Sequence, residues 1–138
     1  MPTLSRSTPK LALVMVGLPA RGKSYIARKL ARYLRWRGME TRVCNVGMYR
    51  RELVGAQVSH SFFDPANPEG LAERMRVAQI ALEDMLRWLE LGGQIGILDA
   101  TNSTRERRAW ISKTCAERGA QVVFIETMCQ DPAVIDRN

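Results

Sequence analysis

The sequence has few cysteines, a single histidine and no long apolar run. Its three cysteines, Cys44, Cys115 and Cys129, are odd in number and show no Cys-x-x-Cys or other metal-ligand spacing, which favours a reduced, cytoplasmic setting. No apolar stretch approaches the roughly 20 residues of a membrane span. The first ten residues are polar, contain two prolines and lack the apolar core of a signal peptide. We therefore expect no membrane association.

The charge is one-sided, and most of it comes from arginine. The chain has 138 residues and a net charge of +7, and its only lysines are Lys10, Lys23, Lys29 and Lys113. Arginine suits bidentate recognition of phosphate, although many of these side chains can simply be solvated. Nucleic acid is another anionic partner, but no zinc-finger, basic-zipper or RNA-recognition signature is present, so it is not favoured.

The most informative motif is G-L-P-A-R-G-K-S at positions 17–24, a complete phosphate-binding loop. A short apolar run over 11–16 precedes it, and from Gly22 to Arg37 apolar residues recur at helical spacing. Such a strand, loop and helix wraps phosphates with backbone N–H groups at the helix N-terminus. In this arrangement Lys23 reaches the β- and γ-phosphates, and Ser24 holds Mg²⁺.

The rest of the chain alternates between strands and helices. Gly38 ends the first helix, and a loop (Gly-Met-Tyr-Arg-Arg) follows the second strand. Ser103 and Glu106 form a capping box for a later helix. The predicted strands cover 11–16, 41–46, 94–98 and 121–126; the predicted helices cover 22–37, 68–91 and 104–118, with one more from 131. This order predicts a single α/β domain over 11–138, a parallel sheet covered on both faces, after a flexible arm over 1–10.

Ligands of such sheets bind where the strands end. Asp99 ends the third strand downstream of the phosphate loop, where a carboxylate can hold Mg²⁺ or accept the proton of an attacking hydroxyl; the alternative is an aspartate that caps a turn. Two arginine clusters follow strands at the same edge, and they favour a second, phosphorylated ligand over simple solvation. The clusters are Arg50 with Arg51, and Arg105 with Arg107 and Arg108. Taken alone, Cys129 reads as a packing residue and His60 as a surface loop residue.

Three motifs together resemble a specific family. The segments G-L-P-A-R-G-K-S-Y, N-V-G-M-Y-R-R and D-A-T-N-S-T-R-E-R-R are similar to the kinase domain of the bifunctional 6-phosphofructo-2-kinase/fructose-2,6-bisphosphatases. A weaker match, C-Q-D-P-A-V-I, lies near the end. The resemblance implies a P-loop nucleotide-kinase-like fold. It also implies transfer of the γ-phosphoryl group of Mg·ATP to the 2-hydroxyl of fructose 6-phosphate, giving fructose 2,6-bisphosphate.

The resemblance also implies roles for individual residues. Lys23, Asp99 and Cys129 match catalytic positions, and Ser24 with Asp99 would organise Mg²⁺. The positions that match the sugar-phosphate site are Arg50, Arg74, Thr101 and Arg107, with Arg51 adjacent. The positions that match ATP contacts are Gly17, Leu18, Pro19, Ala20, Arg21, Gly22, Lys23, Ser24, Tyr25 and Asn138.

The chain also departs from the family pattern. Met48 replaces a glutamine, no Arg-His-Gly phosphatase motif is present, and later substrate-binding residues of the family domain are absent. We read the chain as the N-terminal part of that domain, truncated at its C-terminus, which would leave an exposed apolar edge prone to association, for instance as a homodimer. Three alternatives stay open: a P-loop kinase for another phosphorylated acceptor, a non-catalytic nucleotide-binding module, and nucleic-acid binding.

Overall fold

The computed structural model describes residues 9–17, 23–53, 68–102 and 104–127. Strands and helices alternate along these ranges, as the sequence predicts. The bounds are β1 (Lys10–Val16), α1 (Lys23–Trp36), β2 (Thr41–Asn45), α2 (Val46–Leu53), α3 (Pro68–Glu90), β3 (Ile95–Asp99), α4 (Arg105–Glu117) and β4 (Ala120–Glu126).

The strands in the described ranges form one parallel sheet in the order β2-β3-β1-β4. β1 is central and pairs with both β3 and β4, with Val14 opposite Leu98 on one side. β2 pairs with β3, and the register places Asn45 directly opposite Asp99. Because all the strands run the same way, their carboxyl ends meet at one edge, as expected for a ligand site.

Helices cover both faces of this sheet, which confirms the predicted layers. Neighbouring residues of β1 point to opposite faces, and both Val14 and Met15 are fully buried. Met15 packs in a cluster with Ala27 and Ala31 of α1. Val14 packs in another cluster with residues of α3 and α4. Central strands buried on both faces need apolar side chains at successive positions, which explains the continuous run in β1.

The helix α3 covers the range predicted for it and has one apolar side. The residues on that side recur at helical spacing, and all of them are buried: Val77, Ala81, Leu82, Met85, Leu86 and Leu89. The helix lies directly on β3, since a Cβ added at Gly96 would approach Met85 Cγ to 2.5 Å. Glycine at this position lets the helix and the strand approach closely.

The C-terminal end of α1 and the N-terminal end of α4 are each set by a local residue. Gly38 has φ +88° just beyond α1, the left-handed conformation expected of a glycine that ends a helix. The capping-box pattern predicted Ser103 as the N-cap of α4, and this assignment of the capping residue is wrong. The N-cap of α4 is Thr104, whose hydroxyl accepts a hydrogen bond from Arg107 N.

One element was not predicted. The sequence led us to expect a loop after β2, but Val46–Leu53 form α2. The helix begins directly after the strand because the Asn45 side chain accepts a hydrogen bond from Met48 N at 3.0 Å, as N-cap side chains do. Val46 and Tyr49 also pack against the core. This helix therefore depends on a cap and on tertiary packing.

Among the described residues no helix is both long and apolar enough to cross a membrane. Val123 and Phe124 of β4 are exposed by 47% and 37%, so this outer strand of the described sheet presents apolar side chains to solvent. Several predictions lie outside the described residues: most of the 1–10 arm, His60, and the helix from 131.

Candidate active site

The centre of the site is a buried ion pair between Lys23 and Asp99. Lys23 is the first residue of α1, and Asp99 is the last residue of β3. Lys23 Nζ lies 2.6 Å from Asp99 Oδ1, and the two residues are only 8% and 2% exposed. Both residues were predicted from the sequence, and the fold brings them together because β3 and β1 are neighbours in the sheet.

The second carboxylate oxygen of Asp99, Oδ2, accepts two further hydrogen bonds. Ser24 Oγ donates to Asp99 Oδ2 at 2.7 Å, and Asn45 Nδ2 donates to the same oxygen at 2.8 Å. The carboxylate thus receives one charged and two neutral donors. Charged groups are buried at modest cost only when they are paired and hydrogen-bonded in this way.

The start of the phosphate loop is held by backbone contacts. Gly17 N donates to Thr101 O at 3.0 Å, and Thr127 N donates to Val16 O at 3.1 Å. Gly17 has φ +150°, and a Cβ there would lie 2.6 Å from Thr127 Oγ1. A glycine is required at this point for both reasons. The loop thus leaves β1 between the segments that follow β3 and β4.

Asn102 holds the end of β1, just before the phosphate loop begins. It is buried, adopts φ +49° and donates from Nδ2 to Met15 O at 2.8 Å. Asparagine is one of the few residues that tolerate the left-handed conformation. Arg108 Nη1 in turn donates to Asn102 O at 3.2 Å. Arg108 was grouped with the anion-binding arginines, and here it also supports the backbone under the loop.

The residues around Asp99 fit a Mg²⁺ site that is completed by a nucleotide. Mg²⁺ prefers hard oxygen ligands and is usually held by one or two protein groups together with phosphates and water. Ser24 Oγ and the Asp99 carboxylate, 2.7 Å apart, are such a pair. Across the described ranges no group of three or more His, Cys, Asp and Glu could hold a metal. A metal at this edge would therefore depend on phosphate oxygens.

Two of the predicted arginines lie close enough for their charges to interact. Arg107 lies in the first turn of α4, and Arg74 lies in the N-terminal third of α3. Burial lowers the pKa of Arg107, and the positive charge of Arg74 lowers it further. In the described part of the chain, neither arginine forms a salt bridge. Arg107 lies at a helix N-terminus, which itself disfavours cations, so these two positive charges would be stabilised by a bound anion.

The other predicted binding residues occupy different positions at the same edge. Thr101 lies two residues after the end of β3 and is half-buried, and Arg50 is half-buried on α2. Tyr25 is 56% exposed on α1, with Lys29 Nζ 5.3 Å from its ring centroid. The residues predicted from the sequence that lie outside the described part of the chain are Leu18, Pro19, Ala20, Arg21, Gly22, Cys129 and Asn138.

Sequence reasoning missed two residues at this site, Asn45 and Asn102. Each lies within a motif that was singled out, N-V-G-M-Y-R-R or D-A-T-N, but only the charged and hydroxyl groups of those motifs drew attention. An asparagine at the carboxyl end of a buried strand is a usable signal, because its amide must find partners there.

The chain is similar to known proteins over nearly its whole length. A family model described as 6-phosphofructo-2-kinase matches residues 2–138. The chain is 53% identical over 128 residues to a 6-phosphofructo-2-kinase/fructose-2,6-bisphosphatase of Arabidopsis thaliana, covering 93% of this chain and 17% of the relative. It is 52% identical over 127 residues to 6-phosphofructo-2-kinase/fructose-2,6-bisphosphatase 4 of Homo sapiens, covering 91% of this chain and 27% of the relative. The chain therefore spans about a quarter or less of the length of these relatives.

Solved structures give the same fold at lower identity. The APS kinase of Mycobacterium tuberculosis in complex with AMPPNP and APS superposes with a TM-score of 0.71 at 19% identity, covering 94% of this chain and 68% of that chain. A chain of the Pnkp1/Rnl/Hen1 RNA repair complex superposes with a TM-score of 0.67 at 22% identity, covering 94% and 36%. The fold is that of P-loop kinases, and the match over residues 2–138 shows that the chain belongs to the 6-phosphofructo-2-kinase family.

Proposed function

We propose that this chain binds Mg·ATP at its phosphate loop and transfers the γ-phosphoryl group to the 2-hydroxyl of fructose 6-phosphate. The observation that carries the proposal is the placement of two groups of residues at the carboxyl edge of the sheet. The Lys23–Asp99–Ser24 cluster supports a nucleotide site there. Arg107, at the start of the helix that follows β3, and Arg74, in the N-terminal part of the helix that precedes β3, support an anion site at the same edge. The named relatives are 6-phosphofructo-2-kinases, which supports fructose 6-phosphate as the acceptor.

In the nucleotide site, the Lys23 ammonium would exchange one anionic partner for another when ATP binds. Without nucleotide, the Lys23 ammonium pairs with Asp99. When ATP binds, the ammonium turns to the β- and γ-phosphates, so the buried positive charge keeps an anionic partner throughout. Mg²⁺ held by Ser24 and Asp99 would supply neutralisation of the charge that develops on the phosphate oxygens. The Asp99 carboxylate is also the group available to accept the proton that the acceptor hydroxyl loses.

The acceptor site would position the sugar hydroxyl for attack on the γ-phosphate of ATP. Arg74 and Arg107 would bind the 6-phosphate group, and Thr101 and Arg50 would hold the sugar near the nucleotide. Phosphoryl transfer needs the acceptor oxygen in line with the leaving oxygen, and fixing that geometry supplies much of the rate. Arg107 also stacks over Trp110, with the guanidinium carbon 5.9 Å from the ring centroid, which limits the orientations of the guanidinium. Cys129 and Asn138 keep their proposed catalytic and ATP-contacting roles from the family resemblance alone.

The setting of this reaction is part of the proposal. Cys44 and Cys115 are free thiols buried in the core, which supports a reducing compartment such as the cytoplasm. The proposed partners are ATP and a sugar phosphate. A homodimer is supported by the exposure of Val123 and Phe124 on β4, and sedimentation of the wild-type chain against a variant with serine at both positions tests it.

The acceptor is tested by steady-state kinetics with a panel of phosphorylated sugars. Arg74→Ala should raise the KM for fructose 6-phosphate by ten- to a hundredfold, since a charge-assisted phosphate contact contributes about 1.5–3 kcal/mol. The KM for ATP should stay within about twofold. Arg76→Ala is the matched control, because Arg76 lies on the same helix but is exposed and pairs with Glu73.

Two results would count against the proposal. Equal effects of Arg74→Ala and Arg76→Ala would show that the Arg74–Arg107 pair does not hold the acceptor. Faster turnover with a different phosphorylated acceptor would retain the kinase chemistry and replace fructose 6-phosphate.

A further inference from the structure

The side chain of Asn45 joins two parts of the site that are otherwise separate. Asn45 is the last residue of β2 and lies opposite Asp99 in the sheet. Its Nδ2 donates to Asp99 Oδ2 at 2.8 Å, while its Oδ1 accepts from Met48 N at 3.0 Å. One amide group thus links the central carboxylate to the first turn of α2.

Only an asparagine satisfies both contacts from this position. The amide donates at one end and accepts at the other, whereas an aspartate would place a second carboxylate against Asp99 and an alanine would make neither bond. Gly47 keeps the turn close to the amide, because a Cβ at position 47 would lie 3.0 Å from Asn45 Oδ1. The short connection between β2 and α2 therefore fits around this one side chain.

The other anchor of α2 lies on α3. Tyr49 packs against a core cluster that includes residues of α3. Burial, the neighbouring Cys44 and the nearby Asp84 of α3 all raise the pKa of Tyr49. Tyr49 fixes the side of α2 against the core, and Asn45 fixes the start of the helix against Asp99.

We infer that Asn45 is a positioning residue that sets the placement of α2, and with it Arg50, relative to the Asp99 carboxylate. Arg50 lies two residues after Met48 on the same short helix, so a change at the first turn moves it directly. Asn45 would thus align the acceptor side of the site with the nucleotide side. The kinetic consequence rests on the proposed function, whereas the structural link does not.

Hydrogen exchange tests the link without any substrate. In the wild-type chain the amides of residues 47–51 should exchange more slowly than in Asn45→Ala, by about tenfold, because the cap is lost. Asn45→Asp retains an acceptor for Met48 N and should keep most of this protection. Peptides from α4 are the internal control and should be unchanged in both variants, which also shows that each variant is folded.

The split between the two Michaelis constants separates positioning from general loosening of the fold. Because α2 carries Arg50 on the proposed acceptor side, Asn45→Ala should raise the KM for fructose 6-phosphate about tenfold and leave the KM for ATP within about twofold. Lys113→Ala, at an exposed position on α4, is the control and should leave both constants unchanged.

Each outcome decides the inference. Slower exchange in the wild type, together with a raised KM for fructose 6-phosphate in Asn45→Ala, supports it. Equal α2 exchange in wild type and Asn45→Ala overturns it, and so do equal changes of the two KM values in an active Asn45→Ala variant. If the wild-type chain shows no turnover that depends on fructose 6-phosphate, the proposed function fails. The exchange measurement then still decides the role of Asn45.

Discussion

Breaking the buried ion pair should destabilise the protein by an amount that can be estimated from its surroundings. Lys23→Met removes the ammonium group and leaves the Asp99 carboxylate, which is 2% exposed, with Ser24 and Asn45 as its donors. Removing one partner of a buried ion pair costs about 3–5 kcal/mol. The two remaining hydrogen bonds favour the lower end, so we expect a loss of about 3 kcal/mol.

The double-mutant cycle makes this prediction specific to the pair. Asp99→Asn should also cost about 3 kcal/mol, because it leaves the Lys23 ammonium buried without an anion. The double variant Lys23→Met/Asp99→Asn carries no buried charge, so its loss should fall at least about 2 kcal/mol short of the sum of the single losses. Each single variant should lower the Tm by about 10 °C in a domain of this size.

Urea denaturation without nucleotide is the appropriate assay, with the midpoint and the m-value recorded for all four proteins. Unchanged m-values would show that stability, rather than the compactness of the unfolded state, has changed. Additive losses in the cycle would refute the reasoning, because they would mean that Lys23 and Asp99 do not interact in solution. Lys113→Met, which removes an exposed lysine from α4, is the control and should stay within about 0.5 kcal/mol of wild type.

Three further changes test other parts of the structure. Gly17→Ala should destabilise the fold by about 2 kcal/mol in urea denaturation and weaken ATP binding, because its Cβ would meet Thr127 Oγ1 at 2.6 Å; full stability would contradict the described turn. Burial raises the pKa of the Cys115 thiol to about 11 from 9.0, so the unfolded thiol loses its proton first. The stabilisation that comes from burying the neutral Cys115 thiol is complete below pH 9. As the pH rises from 9 to 11, up to about 2 kcal/mol of it is lost. Cys115→Ala should remove this part of the pH dependence of stability. Arg118→Ala should cost only about 1 kcal/mol, since its two glutamate partners on α3 are partly solvated; a loss that does not shrink in high salt would argue against an ionic origin.

The parts of the fold that were predicted depend on long apolar patterns. The strand β1 and the inner side of α3 are buried as their periodicity indicates, with Val14, Met15 and Leu82 all at 1% exposure or less. The placement of Lys23 and Asp99 at one edge was also predicted, because the strands of a parallel sheet all end at the same edge. Their direct contact further requires that β1 and β3 be neighbours, which the structure shows.

The parts that were missed depend on single side-chain contacts. The helix α2 reads as a loop because a glycine and several polar residues interrupt its pattern, and it forms through the Asn45 cap and the packing of Tyr49. The capping residue of α4 was misplaced by one position, since Ser103 and Thr104 are both good N-caps and local sequence does not separate them. Arg74 gave no local signal, because a charged residue on a helix is ordinarily solvated.

The central claim is tested most directly by ADP release from Mg·ATP, measured with and without fructose 6-phosphate. The account predicts ADP release that requires the sugar phosphate. The rate should fall at least about a thousandfold in Lys23→Ala, which is roughly the contribution of a phosphate-binding cation to the rate. The rate should be unchanged in Lys113→Ala. Release that is independent of the sugar, or absent from a folded chain that still binds ATP, would contradict it.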